Sequence, residues 1–281
     1  MNKPIATSVE PRGILWVVAT PIGNLEDLSP RALKVLGAVA VIAAEDTRHS
    51  RPLLAHFGIN TAMLALHEHN EQAAVEGLLA RLQGGDDIAL ICDAGTPLIS
   101  DPGYRLVRAA RAAGVRVRTV PGACAAIAAL SIAGLPSDRF VFEGFLAAKS
   151  AARRARLQTL AGETRTLIFY ESSHRVAESL DDMAAVFGAQ REAVLARELT
   201  KVFETVIAAP LGELAQRVRA DANQQRGEFV LMVAGCADDT EARLLEGQRI
   251  FDLLRTELAP AKAAKLAAAL SGAPRKLLYA S

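Results

Sequence analysis

The sequence predicts two α/β domains, the first on a mainly parallel sheet and the second on a mixed one, followed by a small helical appendage. Three observations predict this. The 281-residue length exceeds that of an ordinary single domain. The composition is 51% hydrophobic but only 5% aromatic, which favours helices packed on sheets over an all-β sandwich. Apolar runs of strand length also alternate with helix-length amphipathic segments through the first half.

In order, LWVVAT, AVAVIAA, AMLALH, DIALICD and VRVRTV read as five strands. SPRALKVLG, SRPLLAHFG, NEQAAVEGLLARLQGG and DPGYRLVRAARAAG read as the helices between them. Ser29 before Pro30 has the form of an N-cap with proline at the first helical position. Strands apolar on both sides and spaced by helices indicate a sheet covered on both faces. PGACAAIAALSIAGLPSD then reads as a small-residue helix that stops at Gly134 and Pro136. The first domain is accordingly placed at 13–136 and the second at 137–238. In the second, FVFEGFL, RTLIFYE, AVLARE, FETVIAAP and GEFVLMVAG are strands with fewer helices between them. From Asp239 strand signals stop, and TEARLLEGQRIFDLLRTEL, AKAAKLAAALSG and PRKLLYAS form the appendage at 239–281.

Composition also excludes. A net charge of +1 gives no general affinity for polyanions, so any nucleic-acid surface must be a local patch. Cys92, Cys124 and Cys236 have neither paired nor metal-like spacing, which points to a reducing compartment. MNKPIATSVEPRG lacks the apolar core of a signal peptide, and the most apolar window, CAAIAALSIAG, is too short to span a bilayer. A cytoplasmic protein without membrane association is expected.

Four stretches have the makings of chemistry. ICDAGTPLISDPG, residues 91–103, leaves an apolar run through a turn shaped by Gly95, Pro97 and Pro102. Ligands of open α/β sheets sit beyond the carboxyl ends of strands. The alternative is an ordinary turn in which Asp101 caps a helix beginning at Pro102. With two carboxylates and no Gly-Lys-Ser/Thr triplet, a phosphate loop is excluded. ATPIGNLEDLSPRA makes a second tight turn, at Pro21 and Gly23. In AAEDTRHSRPLL, Glu45, Asp46, Arg48, His49 and Arg51 crowd the exit of a strand. Asp46 or Thr47 capping a helix explains some of this, but not two carboxylates, two guanidiniums and an imidazole together. In FYESSHRVAESL, Glu171, His174 and Arg175 follow a buried-looking strand, with a capping serine as the bland alternative. Arginines there suit phosphate contacts, and a carboxylate or imidazole suits proton transfer. His67 and His69 lack a third ligand, so no metal is expected. Lys149, Arg153, Arg154 and Arg156, then Lys262, Lys265, Arg275 and Lys276, form two acid-free basic clusters that suit RNA phosphates.

Taken in order, VVATPIGNLEDLSPRA, AEDTRHSRPLL, CDAGTPLISDPG, VPGACAAIAALSIAGLPSDRFVFEGFL, FYESSHR, ARELTKVFE and GEFVLMV resemble the tetrapyrrole methylase superfamily, over roughly residues 13 to 235. Within it the chain resembles the branch that modifies small-subunit ribosomal RNA, and AKAAKLAAALSGAPRKLLY resembles that branch's helix-turn-helix-like tail. The resemblance implies S-adenosyl-L-methionine as methyl donor, transfer to the ribose 2′-oxygen of a cytidine in the decoding region of 16S rRNA, and a homodimer. It implies cofactor contacts from Pro21, Ile22, Asp93, Gly95, Thr96, Ile99, Ala125 and Ala126, with Tyr170, Ala196 and Phe229 beside the adenine. Ala147 stands where the family's pattern has proline, in a substrate-side loop. A sulfonium nucleoside without phosphate suits a loop of carboxylates and backbone amides.

A poor nucleophile such as a ribose hydroxyl benefits from a base or a nearby positive charge. Glu45, Asp46, His49, Glu171 and His174 are candidate bases, with the Glu45, Asp46, Arg48 and His49 cluster preferred for its place at a strand end. RNA contacts are expected from Arg51, Lys149, Arg153, Arg154, Arg156, His174, Arg175 and Lys201. Two other readings remain open: a methyltransferase for a porphyrinoid-type small molecule, and a non-catalytic ribosome assembly factor.

Overall fold

The computed structural model describes residues 13–67, 71–236 and 239–279. The first twelve residues and His69 therefore lie outside the described residues.

The first sheet comprises β1 (Ile14–Val18), β2 (Val41–Ala44), β3 (Met63–Ala65), β4 (Ile88–Ile91) and β5 (Arg116–Val120), in the order β3-β2-β4-β1-β5. Every pairing in it is parallel. Its connections carry α1 (Pro30–Ala38), α2 (Thr47–His56), α3 (Glu71–Gln83) and α4 (Tyr104–Ala112). Alternate residues of the central strands serve two cores. Val41, Ala43, Ile88 and Leu90 pack with Leu78 and Leu82 of α3 and Leu106 of α4. Ile42, Ala44, Ala89 and Ile91 pack with Ala32 and Leu36 of α1 and Leu54 of α2. A strand buried on both faces reads as a continuous apolar run, which is why VIAA and IALI were legible.

Two helix starts differ from expectation. α2 begins at Thr47 rather than at the Ser50 of the helical segment read from sequence, because Asp46 accepts from the Arg48 N–H at 2.8 Å and caps the helix, as the capping reading of that stretch expects. Pro52 thus falls inside the helix, where it supplies no N–H. α4 begins at Tyr104, and its N-cap is Gly103 with φ 117° and no side-chain cap. Asp101 is therefore not the cap, and Pro102 is outside the helix. A Cβ on Gly103 would stand 2.8 Å from Leu90 Cδ2, so glycine is needed for both conformation and space.

Contacts divide the chain between Ala125 and Ala126. That division falls at the start of α5 (Ala125–Ala133). The second sheet comprises β6 (Phe140–Phe145), β7 (Thr166–Ser172), β8 (Glu192–Arg197), β9 (Thr205–Pro210) and β10 (Glu228–Val233), with α6 (Ser150–Leu160), α7 (Val176–Phe187) and α8 (Leu211–Ala220) between strands. Its order is β6-β7-β10-β8-β9. Only the β6–β7 pair is parallel, so this sheet is mixed. Phe169, Leu195, Phe229 and Leu231 face one core with Leu157, Leu180, Met183 and Leu214 of the three helices.

The last described segment is helical: α9 (Asp239–Leu254), α10 (Pro260–Ser271) and a 3-10 turn at Arg275–Tyr279. Phe251, Ala263, Ala264, Ala267, Ala273 and Leu278 give it a core of its own. Gly247 of α9 permits this approach, since a Cβ there would meet Ala273 Cβ and Ser271 Oγ at 2.8 Å.

Candidate active site

The turns after β1 and β4 leave neighbouring strands and are laced together. Thr20 N–H donates to the Gly95 carbonyl at 2.9 Å, and Gly95 N–H returns a bond to Thr20 at 3.1 Å. Thr20 Oγ1 also donates to the Cys92 carbonyl at 3.3 Å. Thr96 Oγ1 ties in the turn after β5 through the Ala123 carbonyl at 2.9 Å. Thr20, buried to 1% exposure, was not singled out from sequence, although its place between a strand and Pro-Ile-Gly hinted at it.

Gly95 holds φ 81°, and a Cβ there would come within 3.2 Å of Ile22 Cγ2. Leu98 and Ser100 are left-handed without being glycine, with φ 74° and 67°. Such conformations persist only where surroundings enforce them, and they gather at functional sites. Pro21 and Ile22 are buried beneath these turns, Thr96 is half-buried, and Ile99 is exposed. The loop thus brings together Pro21, Ile22, Asp93, Gly95, Thr96 and Ile99. Ala125 and Ala126 begin α5 after the β5 turn.

A third turn joins from β2. Asp46 N–H donates to Asp93 Oδ1 at 3.2 Å, and Asp93 N–H points back to Glu45 Oε2 at 3.4 Å. Asp46 itself is held by the Arg48 guanidinium, Nε at 3.1 Å and Nη2 at 2.8 Å. Those bonds, with main-chain donors of the helix start, hold its carboxyl well below the usual range. Arg48 and His49 are exposed on the first turn of α2, as is Arg51. The cluster expected from sequence therefore exists in space, with Asp46 committed to capping and pairing. Nearby, burial pushes the Asp101 carboxyl up, a bond from Cys92 opposes this, and Asp93's charge pushes it further up. Burial likewise drives the Cys92 thiol upward, with Asp101 and Glu45 adding to it, so it is no nucleophile at neutral pH.

In the second unit, Tyr170 and Ala196 share one register row, both opposite Val230 of β10. Phe229 faces the other way, into the helix-covered core. The Tyr170 ring lies edge-on to Phe142 and Phe145, at 4.9 and 5.5 Å. Its hydroxyl accepts the Ala126 N–H at 3.1 Å and so caps α5.

The FYESSHR stretch is largely structural. Glu171 is buried, accepts Ser179 Oγ at 2.6 Å and pairs with Arg175 at 3.0 Å. Arg175 also donates to Ser172 Oγ and the Leu146 carbonyl, while His174 is exposed. Arg153 requires a correction. It is 0% exposed, with Nε 2.7 Å from Asp182 Oδ2 and Nη1 near the carbonyls of Ala147 and Ala148. A guanidinium without accessible surface contacts no phosphate. Lys149 and Arg154 are exposed, whereas Arg156 is exposed but paired in a fork with Glu143 at 2.8 and 3.0 Å. Burial works against the Lys201 charge, but Glu228 and Glu198, at 2.8 and 2.9 Å, outweigh it and raise its pKa.

The profile of the Tetrapyrrole (Corrin/Porphyrin) Methylases matches residues 15–215, and that of the RsmI C-terminal HTH domain matches residues 241–281. The chain is 61% identical over 267 residues to ribosomal RNA small subunit methyltransferase I of Xylella fastidiosa, covering 95% of this chain and 98% of that protein. It is also 61% identical to the protein of that name from Pseudomonas aeruginosa, covering 95% of each. Among solved structures, the methyltransferase CobJ is similar at TM-score 0.59 and 19% identity, over 80% of this chain and 95% of that one. Uroporphyrin-III C-methyl transferase from Thermus thermophilus, complexed with S-adenyl homocysteine, is similar at TM-score 0.55 and 17% identity, over 79% and 97%.

Proposed function

The chain belongs to the tetrapyrrole methylase family, and from that premise we propose that it transfers a methyl group from S-adenosylmethionine to the ribose 2′-hydroxyl of a cytidine in the decoding region of 16S rRNA. One observation carries the donor: the laced turns after β1 and β4. Their residues fit a phosphate-free sulfonium nucleoside. Asp93 and Asp101 are acidic, the 93–103 loop holds no lysine or arginine, and Gly95 holds a left-handed turn that a side chain would strain. The acceptor is supported by the names of the relatives at 61% identity.

Pro21, Ile22, Asp93, Gly95, Thr96, Ile99 and Ala125 would hold the donor. Bound there, S-adenosylmethionine supplies a methyl group already activated on sulfur. The chain's work is then to align the ribose oxygen with that group and to remove its proton. Asp46 is a poor proton acceptor, because Arg48 stabilises its charged form. Proton removal falls to Glu45 or His49, with Arg48, whose side chain is 90% exposed, near the RNA phosphates. Lys149, Arg154 and the tail lysines are the remaining RNA contacts in this reading, and a homodimer and cytoplasmic location go with it. Among the described residues no helix is long and apolar enough to cross a membrane.

The test has two stages. Calorimetry with S-adenosylmethionine should give heat at one site per chain, while a nucleoside triphosphate should give none. Mapping ribose methylation in ribosomes of a deletion strain should then show one cytidine unmodified and restored by the gene. An unchanged rRNA pattern would return the acceptor to a small molecule or leave the fold non-catalytic. Within the site, Glu45→Gln or His49→Gln should slow single-turnover transfer by about 10²–10⁴-fold with cofactor affinity kept. Unchanged rates in both would remove the cluster from the chemistry.

A further inference from the structure

The turn from β8 to β9 is built at some cost to the backbone. Glu198 and Thr200 hold φ 52° and 66°, left-handed values that residues with side chains rarely adopt. Bonds from every side enforce them. Glu198 takes Lys201 Nζ at 2.9 Å and the Glu228 N–H at 3.0 Å. Glu204 takes the Thr200 N–H at 2.6 Å. Arg197, 9% exposed, donates Nε to the Arg226 carbonyl at 2.6 Å and Nη1 to the Phe203 carbonyl at 3.4 Å. A Cβ on Gly227 would fall 2.4 Å from Glu198 Oε1, so the clamp also requires that glycine.

What the clamp produces is an apolar tip in solvent: Val202 is 93% exposed and Phe203 70%. No core explains rigid presentation of these two side chains. They line an open groove of about 760 Å³ together with Asn223, Gln224 and Arg226. That volume is within the roughly 300–1,000 Å³ of small-ligand sites. Gln224 Oε1, in the lining, and Thr200 Oγ1, in the turn, are buried without a hydrogen-bond partner among the described residues. Asn223 and Arg226, exposed in the lining, offer an amide and a guanidinium to a ligand's polar edge.

We propose that this groove is a subsite for one unstacked nucleobase of the RNA substrate, with Phe203 as its stacking face and Asn223, Gln224 and Arg226 as its hydrogen-bonding edge. The inference rests on the RNA methyltransferase reading above and adds a second RNA contact to it. The lining selects the occupant. An exposed ring alone would suit any apolar partner, a second copy of this chain included. Amide donors and acceptors with a guanidinium, beside a ring, match the edge and face of a heterocycle. The carboxylates Glu198, Glu204 and Glu228 are balanced here by Arg197, Lys201 and Arg226, so the site turns no net negative charge toward a nucleic acid. Single-stranded and looped RNA segments carry unstacked bases that can be splayed onto an aromatic ring and hydrogen-bonded at their edges.

The experiment uses the full chain and a fluorescein-labelled single-stranded RNA of about 12 nucleotides, followed by anisotropy, with the same sequence as a duplex for comparison. Phe203→Ala should weaken single-strand binding about tenfold, and Phe203→Trp should restore it. The salt dependence should keep its slope, because stacking releases no counterions. Duplex binding and S-adenosylmethionine affinity should be unchanged. Gln224→Ala should weaken single-strand binding without lowering the unfolding temperature. If Phe203→Ala binds the single strand within about twofold of wild type, the subsite is refuted. A change in mass by light scattering for Phe203→Ala would instead make the turn a self-association surface, and also refutes it. Wild-type protein that binds no RNA overturns both readings. Wild-type protein that methylates rRNA, matched by Phe203→Ala in KM, overturns this one alone.

Discussion

Asp101 lies between opposing influences: removed from water beside Cys92 and within reach of the Asp93 charge, its carboxyl is raised. The sign follows from linkage. A carboxyl raised in the fold favours folding while protonated, and that advantage is lost as pH rises through the folded value. Asp101→Asn should therefore unfold later than wild type at pH 7, by on the order of 2 °C, with the gain gone near pH 4 by scanning calorimetry. Arg153 makes the complementary point. Arg153→Ala leaves the nearly buried Asp182 with only the exposed Arg154, 3.9 Å away, and should cost about 3 kcal/mol by urea denaturation. The salt slope of rRNA binding should stay as it was, because Arg153 meets no phosphate. Sequence showed the basic cluster 149–156 but not its partners. Asp182 and Glu143 lie on other elements, and only their arrival in space separates Arg153 and Arg156 from exposed Arg154. The Glu45–Asp93 and Asp46–Asp93 contacts were hidden likewise, although each residue type at a strand exit was legible.

Among elements, those with buried strands or plain caps were legible, and the misplaced boundaries have local causes. Ser29 caps α1 as its sequence suggests, accepting the Ala32 N–H at 3.1 Å. Asp-Pro-Gly before α4 mimics a cap followed by a first-turn proline, but the left-handed Gly103 delays the helix to Tyr104. Gly103→Ala should cost about 1–3 kcal/mol through that φ and through Leu90, measured by denaturation. α5 depends on a partner that no local pattern announces, since its first turn is capped by Tyr170, 44 residues away. Tyr170→Phe keeps the ring between Phe142 and Phe145 while removing the cap, and should cost about 1 kcal/mol by the same measurement. The position of Phe229 in the core also follows from register: period two sends it to the face opposite Tyr170 and Ala196, which a motif match does not reveal.

For the whole molecule, sheet type was legible but strand order was not, because apolar runs carry no record of which neighbour they meet. The tail packs its own small core, so its removal leaves the other cores with their partners. A chain ending before Thr240 should fold, bind rRNA more weakly and show a flatter salt dependence, by about 0.7–0.9 in slope for each phosphate that the tail neutralises. Filter binding at several salt concentrations measures this. If the slope is unchanged, the tail meets no phosphate. The order β3-β2-β4-β1-β5 has a consequence during synthesis. β1 is made first, yet among the described residues its partners are β4 and β5. The nascent chain thus carries an unmatched apolar strand until β4 emerges roughly 70 residues later, on the order of ten seconds at translation speed. Throughout that interval its early apolar segments are natural clients for a chaperone at the exit tunnel, and slowing the ribosome there should lengthen their exposure to aggregation.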